Sequence, residues 1–217
     1  KFNRALIFIA LFIFTIPFIN GQLSDLDTRC LWVVRESMLT KDKIDSALVY
    51  AYQSGYDIVF LQIRGRGEAF YNSEIVAKHP DIQADFDPLE YAVIQGHSLG
   101  LEIHAWVNSY ILWSSKYKPG DSNHLYHTKH DWTEADIHGK MDWRINLSAP
   151  HSPQWEGIYL SPIHPEVNPY LIAVFSEIIQ NYELDGIHLD YIRYQDDFYG
   201  YNPTGSEGFN KIYNVDP

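Results

Sequence analysis

The sequence predicts an α/β fold with a (β/α)8 TIM-barrel-like architecture, of which its 217 residues carry about the first half. Three observations lead to this class. Strand-like apolar segments alternate with amphipathic helix-like segments, as in a parallel sheet. No glycine-rich phosphate loop follows the first strand, as an open nucleotide-binding sheet would often have. Polar residues stand at the C-terminal ends of all four predicted strands, where barrel enzymes have their sites: Arg35, Arg64, Asn108 and Asp190.

Four strand-helix units, some of them partial, account for the alternation. The predicted strands cover residues 31–35, 57–64, 101–108 and 186–193. The helices between them are predicted over 40–55, 87–100 and 165–182. Asp87 is a good N-cap because Pro88 takes the first helical position and Glu90 stands three residues after the cap. We expect the four strands to be parallel and adjacent in chain order.

Composition narrows the class of partner. Lys and Arg number 16 against 28 Asp and Glu, which gives a formal net charge of −12. A chain this acidic is a poor partner for nucleic acid or an anionic membrane. Aromatic residues make up 15% of the chain without basic clusters, which suits a polysaccharide. The 46% of hydrophobic residues suits one domain with a large core.

The N-terminus is typical of an export signal. Lys1 and Arg4 precede an almost wholly apolar run at 5–19, which is short for a membrane span. We therefore predict a signal peptide at 1–22 and a mature domain at 23–217. The mature product is expected to be secreted or periplasmic, without a stable membrane span after cleavage. An uncleaved anchor is the alternative.

The fourth strand, within 185–194, carries the leading catalytic candidate. Side chains alternate between the two faces of a strand, so His188 and Asp190 share one face and Tyr191 lies on the other. A carboxylate and an imidazole inside a strand are costly unless they face a polar space. In a barrel that space is the lumen near the C-terminal strand ends. We therefore predict Asp190 as the catalytic residue and His188 as a substrate contact.

The same alternation assigns the side chains of the third strand to its two faces. Its lumen-facing residues are expected to be Glu102, His104, Trp106 and Asn108. Trp106 and Asn108 are nearest the mouth, so we predict that they contact the substrate. His104 is predicted to bind substrate as well. A satisfied polar layer in the barrel core is the alternative for His104 and Glu102.

Charged residues after the second and fourth strands complete the candidate set. Arg64 could fix the Asp190 carboxylate by a bidentate contact or bind a sugar hydroxyl, and an ion pair that holds the loop is the alternative. Arg193 is predicted to support the rim of the site and to bind substrate. Glu68 offers a second carboxylate, but we expect it to be a solvated loop residue.

The connection over 109–164 is unusually long and leaves from a strand C-terminus, so it should roof the site. It contains four of the six tryptophans, and we expect some of them to reach the sugar. His124, His127 and His130 are spaced by threes but lack the acidic context of zinc motifs, so we expect them at the surface. No metal and no cofactor are predicted.

Ordered motifs resemble one family of glycosidase-related proteins. They lie at 62–71, 86–89, 100–108 and 185–194, and the tail at 200–217 matches as well. In this order they resemble the glycosyl-hydrolase-like family 10 over about 31–217. The resemblance implies an exported bacterial β/α barrel that acts on glycans, with peptidoglycan strands a known substrate type. Gly65 and Glu68 stand where the family often has Pro and Asp.

The Asp185 and Asp190 spacing also resembles the fourth-strand motif of α-amylase-type glycosidases, in which the second Asp is the nucleophile. Glycoside hydrolysis normally needs two carboxylates, and the chain offers no convincing second one. The general acid is expected beyond Pro217, which would leave this chain inactive alone. We predict a glycoside hydrolase with Asp190 as nucleophile or base. The alternatives are a non-catalytic glycan-binding module and a metal-dependent hydrolase using His104, His188 and Asp190.

Overall fold

The computed structural model describes residues 27–149 and 155–215, so the predicted signal peptide at 1–22 lies outside the described residues. The strands in this part are β1 (Cys30–Val33), β2 (Ile58–Gly65), β3 (Glu68–Ala69), β4 (Glu102–Asn108), β5 (Ile111–Trp113), β6 (Ile158–Tyr159) and β7 (Gly186–Asp190). The α-helices are α1 (Lys41–Gln53), α2 (Pro88–Ser98), α3 (Leu125–Thr128), α4 (Val167–Asn181) and α5 (Pro203–Tyr213). None of these helices is long and apolar enough to span a membrane.

The main sheet has the strand order β1-β2-β4-β7, and all three neighbouring pairs are parallel. The predicted strands and their adjacency are therefore confirmed. The short strand β3 adds to the end of β2 in the antiparallel direction. With α1, α2 and α4 between the strands, the molecule is an α/β structure that forms part of a barrel.

One face of the sheet packs against the helices. On β4, Ile103, Ala105 and Val107 are fully buried, as their alternation with polar residues predicts. Helices α1 and α2 cover this face with apolar side chains such as Leu48 and Ala92. On the opposite face of β4, Glu102 is exposed, His104 and Trp106 are half-buried and Asn108 is buried, and this face forms the inner side of the partial barrel.

The predicted N-caps are observed at α1 and α2. The Thr40 hydroxyl accepts a hydrogen bond of 3.4 Å from the backbone N–H of Lys43. Asp87 Oδ1 accepts the N–H groups of Leu89 and Glu90 at 3.0 and 3.1 Å. These bonds satisfy donors that have no partner in the first turn of a helix.

Gly186 permits the close approach of β7 to β4. It pairs in register with His104, and a Cβ atom at position 186 would lie 2.4 Å from His104 Nδ1. A larger residue would have to push the imidazole ring aside. The start of β7 therefore favours a residue without a side chain.

Two strand ends differ from the prediction. Strand β1 ends at Val33, and β7 ends at Asp190 rather than at Arg193. Tyr191 has a φ of 51°, in the left-handed region, which ends the extended backbone of β7. The strand alternation used to place Tyr191 opposite Asp190 therefore does not apply to it.

The described residues of the long connection after β4 form a layer with its own core. Strands β5 and β6 pair antiparallel within it. Its buried apolar residues form a cluster separate from the main core and include Leu112, Trp113, Tyr126, Trp132, Leu147, Ile158 and Leu160. Packing of this layer brings the chain after β4 against the chain after β7.

Candidate active site at the strand ends

Asp190 is the last residue of β7, and both of its carboxylate oxygens accept a hydrogen bond. Trp106 Nε1 donates to Oδ2 at 3.0 Å from the neighbouring strand β4. The backbone N–H of Tyr191 donates to Oδ1 at 2.7 Å. Asn108 lies opposite Asp190 in the register of the two strands. The structure thus brings together three of the predicted site residues, Trp106, Asn108 and Asp190.

Tyr191 has a left-handed backbone directly after Asp190. A bulky residue in this region is strained, and such strain is concentrated at functional positions. The Tyr191 ring contacts Tyr159 with a centroid distance of 6.0 Å, and the Arg193 guanidinium lies 5.4 Å from its centroid. The ring is therefore held by the long connection on one side and by its own segment on the other.

A second set of polar groups fixes the orientation of the Asn108 side-chain amide. Gln62 Nε2 donates to Asn108 Oδ1 at 3.2 Å, and the backbone N–H of Arg35 donates to Gln62 Oε1 at 3.2 Å. Both Gln62 and Asn108 are buried. Gln62 belongs to the motif that carries the resemblance, but strand parity had not singled it out. The signal in the sequence is its two-residue separation from Arg64, which gives both side chains the same face of a regular strand.

Arg64 does not bind the Asp190 carboxylate. Its guanidinium is fully buried and donates to the backbone carbonyls of Asn108 and Ser109. The reason is an irregularity between Gln62 and Arg64, which puts Arg64 in register with the buried Val107. Arg64 therefore supports the turn after β4, and the predicted contact between Arg64 and Asp190 was wrong.

His104 and His188 lie on the inner face of the sheet among aromatic side chains. The Phe60 ring is 5.0 Å from the His104 ring and 5.1 Å from the His188 ring, and Trp32 stacks on Phe60 at 4.7 Å. Glu102 Oε2 is 3.5 Å from His104 Nε2. Within the described ranges, no three His, Cys, Asp or Glu side chains converge on a metal position, these histidines and Asp190 included.

Glu68 is buried, which corrects the expectation of a solvated loop residue. It lies on β3, which folds back along the end of β2. Burial raises the pKa of Glu68 to about 7, against the opposing effect of Arg66 and Arg35. His79 Nε2 is 3.8 Å from its carboxylate. Glu68 is therefore a carboxyl group that carries a proton up to near neutral pH.

Arg193 is exposed and follows Asp190 by three residues. Its guanidinium donates to Glu156 Oε2 at 2.7 Å, and the Tyr159 hydroxyl donates to the same oxygen at 2.7 Å. These hydrogen bonds and the positive charge of Arg193 lower the pKa of Glu156 despite its partial burial. Glu156 and Tyr159 were not predicted from sequence, because nothing local in the long connection marks them as neighbours of β7.

In the long connection, which was expected to roof the site, two tryptophans and one histidine lie elsewhere than predicted. Trp113 and Trp132 are buried in the core of the long connection, so these two tryptophans are not available to a sugar. His124 is also buried rather than at the surface, and its Nε2 is 2.8 Å from the carbonyl of Arg66. Burial lowers the pKa of His124 to about 4, so it is a neutral structural residue.

Comparison with curated proteins gives relatives that carry glycosidase names. The chain is 26% identical to the glycosyl hydrolase DigH of Escherichia coli K12, over 79% of this chain and 37% of that protein. It is 22% identical to the glycosyl hydrolase YngK of Bacillus subtilis, over 92% of this chain and 38% of that protein. The chain therefore spans less than two fifths of the length of these relatives.

Solved structures share the fold at low sequence identity. A hypothetical protein from Ruminiclostridium thermocellum matches with a TM-score of 0.58 and 17% identity, over 85% of this chain and 87% of that one. A Flavobacterium johnsoniae chitobiase matches with a TM-score of 0.52 and 12% identity, over 88% of this chain and 27% of that one. The family model described as glycosyl hydrolase-like 10 matches residues 28–217. The chain therefore belongs to the glycosyl hydrolase-like 10 family.

Proposed function

We propose that the protein hydrolyses O-glycosidic bonds in a bacterial polysaccharide, with Asp190 as nucleophile or base. The observation that carries this proposal is the Asp190 carboxylate, held by two donors at the C-terminal end of a parallel strand. Barrel enzymes have their catalytic groups at this end of the strands. Membership of the glycosyl hydrolase-like family supports the substrate class.

Asp190 performs the step that needs an oriented carboxylate. It either attacks the anomeric carbon or takes a proton from a water molecule. Trp106 and Tyr191 each donate to a different oxygen, so each oxygen keeps a lone pair for the sugar or for water. An orientation that is fixed before the substrate binds lowers the entropic cost of reaching the reactive geometry.

The reaction also needs a general acid that protonates the leaving oxygen. Glu156 is a poor candidate because its bonds to Arg193 and Tyr159 favour the ionised form. Glu68 has a suitable pKa, but its nearest charged partners are Arg66, Arg35 and His79 rather than groups of the Asp190 cluster. We therefore propose that the acid comes from outside the described residues.

Sugar binding is proposed for the inner face of the sheet. Sugars present apolar faces that pack on aromatic rings, which suits Trp106 and the rings beside His104 and His188. Asn108 accepts from Gln62 through Oδ1, which leaves its Nδ2 group to donate to a hydroxyl. Arg193 is proposed to lie at the rim. Peptidoglycan glycan strands are the proposed substrate type, and a secreted or periplasmic location fits that substrate.

A glycan-binding module without catalysis is the second candidate. It is favoured by one observation: Glu156 is held ionised by Arg193 and Tyr159, and Glu68 contacts His79 rather than the Asp190 cluster, so neither is placed as the acid partner of Asp190. A binding module would use the same aromatic face and the same amide of Asn108. It would bind polysaccharide without producing new reducing ends.

Incubation of the full-length protein with peptidoglycan glycan strands separates the two candidates. Release of new reducing ends, with a panel of unrelated polysaccharides as controls, is the result expected for the hydrolase. Sedimentation with the glycan without release would favour the binding module. Neither release nor binding with any glycan would contradict both candidates.

A further inference from the structure

Two buried carboxyl groups meet where the long connection contacts the segment after β7. Glu134 and Asp142 have no exposed surface, and the backbone N–H of Asp142 donates to the carbonyl of Glu134 at 2.8 Å. The segment after β7 reaches both side chains. Gly200 N–H donates to Glu134 Oε2 at 3.1 Å, and Gln195 Nε2 donates to Asp142 Oδ2.

Each of these carboxyl groups uses only one oxygen in its hydrogen bonds. Glu134 Oε1, Asp142 Oδ1 and Gln195 Oε1 are all buried without a hydrogen-bond partner. The Ser161 hydroxyl lies beside Glu134 but does not meet the geometry of a hydrogen bond. The atoms of this cluster that lack a hydrogen-bond partner are therefore all oxygens. Buried polar atoms are normally paired, so four unpaired oxygens in one place are unusual.

The charge around these groups is negative throughout. Burial raises the pKa of Asp142, and Glu134, Asp136 and Asp196 raise it further. The same four acids raise the pKa of the neighbouring Tyr199, after burial as the largest cause. Within the described residues neither Glu134 nor Asp142 forms an ion pair with Lys, Arg or His. Ionised carboxylates buried without a cation are strongly unfavourable.

We propose that Glu134, Asp142 and Gln195 bind a divalent cation, with Ca²⁺ as the best match. Ca²⁺ takes carboxylate, amide and hydroxyl oxygens in flexible geometry, and two carboxylates balance its charge. Mg²⁺ demands near-octahedral geometry and retains water molecules, so it suits this buried set of side chains less well. Among the described residues no third acidic or histidine ligand joins the two carboxylates, so other oxygens such as the Ser161 hydroxyl would complete the coordination.

A cation here ties the roof to the chain that leaves the candidate catalytic strand. Gln195 follows Asp190 closely, whereas Glu134 and Asp142 belong to the connection after β4. The N–H of Tyr159 donates to Asp142 Oδ2 at 3.0 Å, and the Tyr159 ring contacts Tyr191. Binding therefore stabilises the surroundings of Asp190 without any contact to the substrate.

Tb³⁺ luminescence and thermal unfolding of the full-length protein test the proposal. Bound cations are first removed with EGTA, at about pH 8, where carboxyl groups are normally ionised. Tyr159 and Tyr199 should sensitise the emission of bound Tb³⁺, and Ca²⁺ should displace it. Ca²⁺ at about 1 mM should raise Tm by several degrees, and Mg²⁺ at the same concentration should raise it less.

Three variants locate the bound ion. Asp142→Asn and Glu134→Gln should each weaken Tb³⁺ affinity by about tenfold or more and abolish the Tm response to Ca²⁺. Gln195→Leu leaves both carboxylates in place and should weaken binding, so it serves if an amide variant fails to fold. Asp197→Asn, an exposed acid in the same segment, is the control and should behave like the wild type.

Two results would overturn the proposal. Absence of sensitised emission and of any Tm response in the wild type would mean that the carboxyl groups share protons instead. In that case Asp142→Asn should be at least as stable as the wild type. Binding that is unchanged in every folded variant would place the ion elsewhere in the molecule.

Discussion

The indole N–H of Trp106 donates a hydrogen bond of 3.0 Å to Asp190 Oδ2, across the paired strands β4 and β7. The bond joins a residue predicted to contact substrate with the residue predicted to carry the chemistry. It holds the Asp190 carboxylate in one orientation, while Tyr191 holds the other oxygen from the backbone.

Trp106→Phe should lower kcat by about 10- to 100-fold, because it removes the N–H donor and leaves Asp190 free to rotate. The aromatic ring remains, so glycan affinity should change little. Steady-state kinetics with Trp113→Phe as the control test this, since Trp113 is buried in the core of the long connection and donates its indole N–H to the Tyr117 carbonyl. Equal kcat values for the two variants would contradict the positioning role of Trp106.

Tyr191→Gly and Tyr191→Val both remove the aromatic ring, but they should differ in stability because glycine and valine differ in their tolerance of a positive φ. Glycine adopts a positive φ without strain, so the N–H bond to Asp190 should persist in Tyr191→Gly. Valine resists this conformation, and Tyr191→Val should be less stable than Tyr191→Gly by roughly 1–3 kcal/mol. Urea unfolding measures the difference. A valine variant more stable than the glycine variant would contradict the strain argument.

Gly186→Ala should destabilise the protein by roughly 1–3 kcal/mol, because the added methyl group meets the His104 ring. Gly208→Ala is the matched control. Position 208 lies within α5 with no atom close to an added Cβ, so alanine there should stabilise the helix by roughly 0.5–1 kcal/mol. Thermal unfolding of both variants tests this, and similar Tm shifts for the two would count against the packing of β7 on β4.

Glu68 should make stability depend on pH below neutrality. Its pKa is about 7 in the folded protein, whereas an unfolded chain has the ordinary value of 4.5. Between these values the folded protein binds more protons, so the free energy of unfolding should fall as pH rises. Glu68→Gln should remove part of this fall.

Urea unfolding at several pH values measures the effect of Glu68. Glu183→Gln, which changes an exposed acid, is the control and should keep the wild-type pH dependence. A Glu68→Gln variant whose stability follows the wild-type curve between about pH 4.5 and 7 would contradict the raised pKa.

Alternation along the chain was enough to predict much of the fold and the centre of the candidate site. The buried residues of β4 and the placement of Trp106, Asn108 and Asp190 follow from the two-residue period of a strand. The caps Thr40 and Asp87 follow from local hydrogen-bond chemistry. These features depend on residues close in sequence, and for that reason they were predictable.

The wrong predictions arise where long-range packing or backbone strain overrides the local pattern. An irregularity in β2 turns Arg64 away from Asp190, and no local signal marks it. Tyr191 adopts a positive φ that its residue type disfavours. Glu68 is buried because β3 folds back and the segment near His79 covers it. These effects depend on contacts that appear only in the folded chain.

The substitution Asp190→Asn in the full-length protein tests the central claim most directly. The amide is nearly isosteric with the carboxylate and still accepts from one of the two donors, so circular dichroism and glycan binding should stay close to the wild type. Glycan release should fall by several orders of magnitude, the scale of lost nucleophilic or general-base catalysis. Asp185→Asn, directly before the start of the same strand, keeps an oxygen that can accept from Ile103 N–H but loses the carboxylate charge beside His97, so it should lower stability modestly while keeping turnover. Wild-type glycan release by Asp190→Asn would contradict the account and favour the binding module.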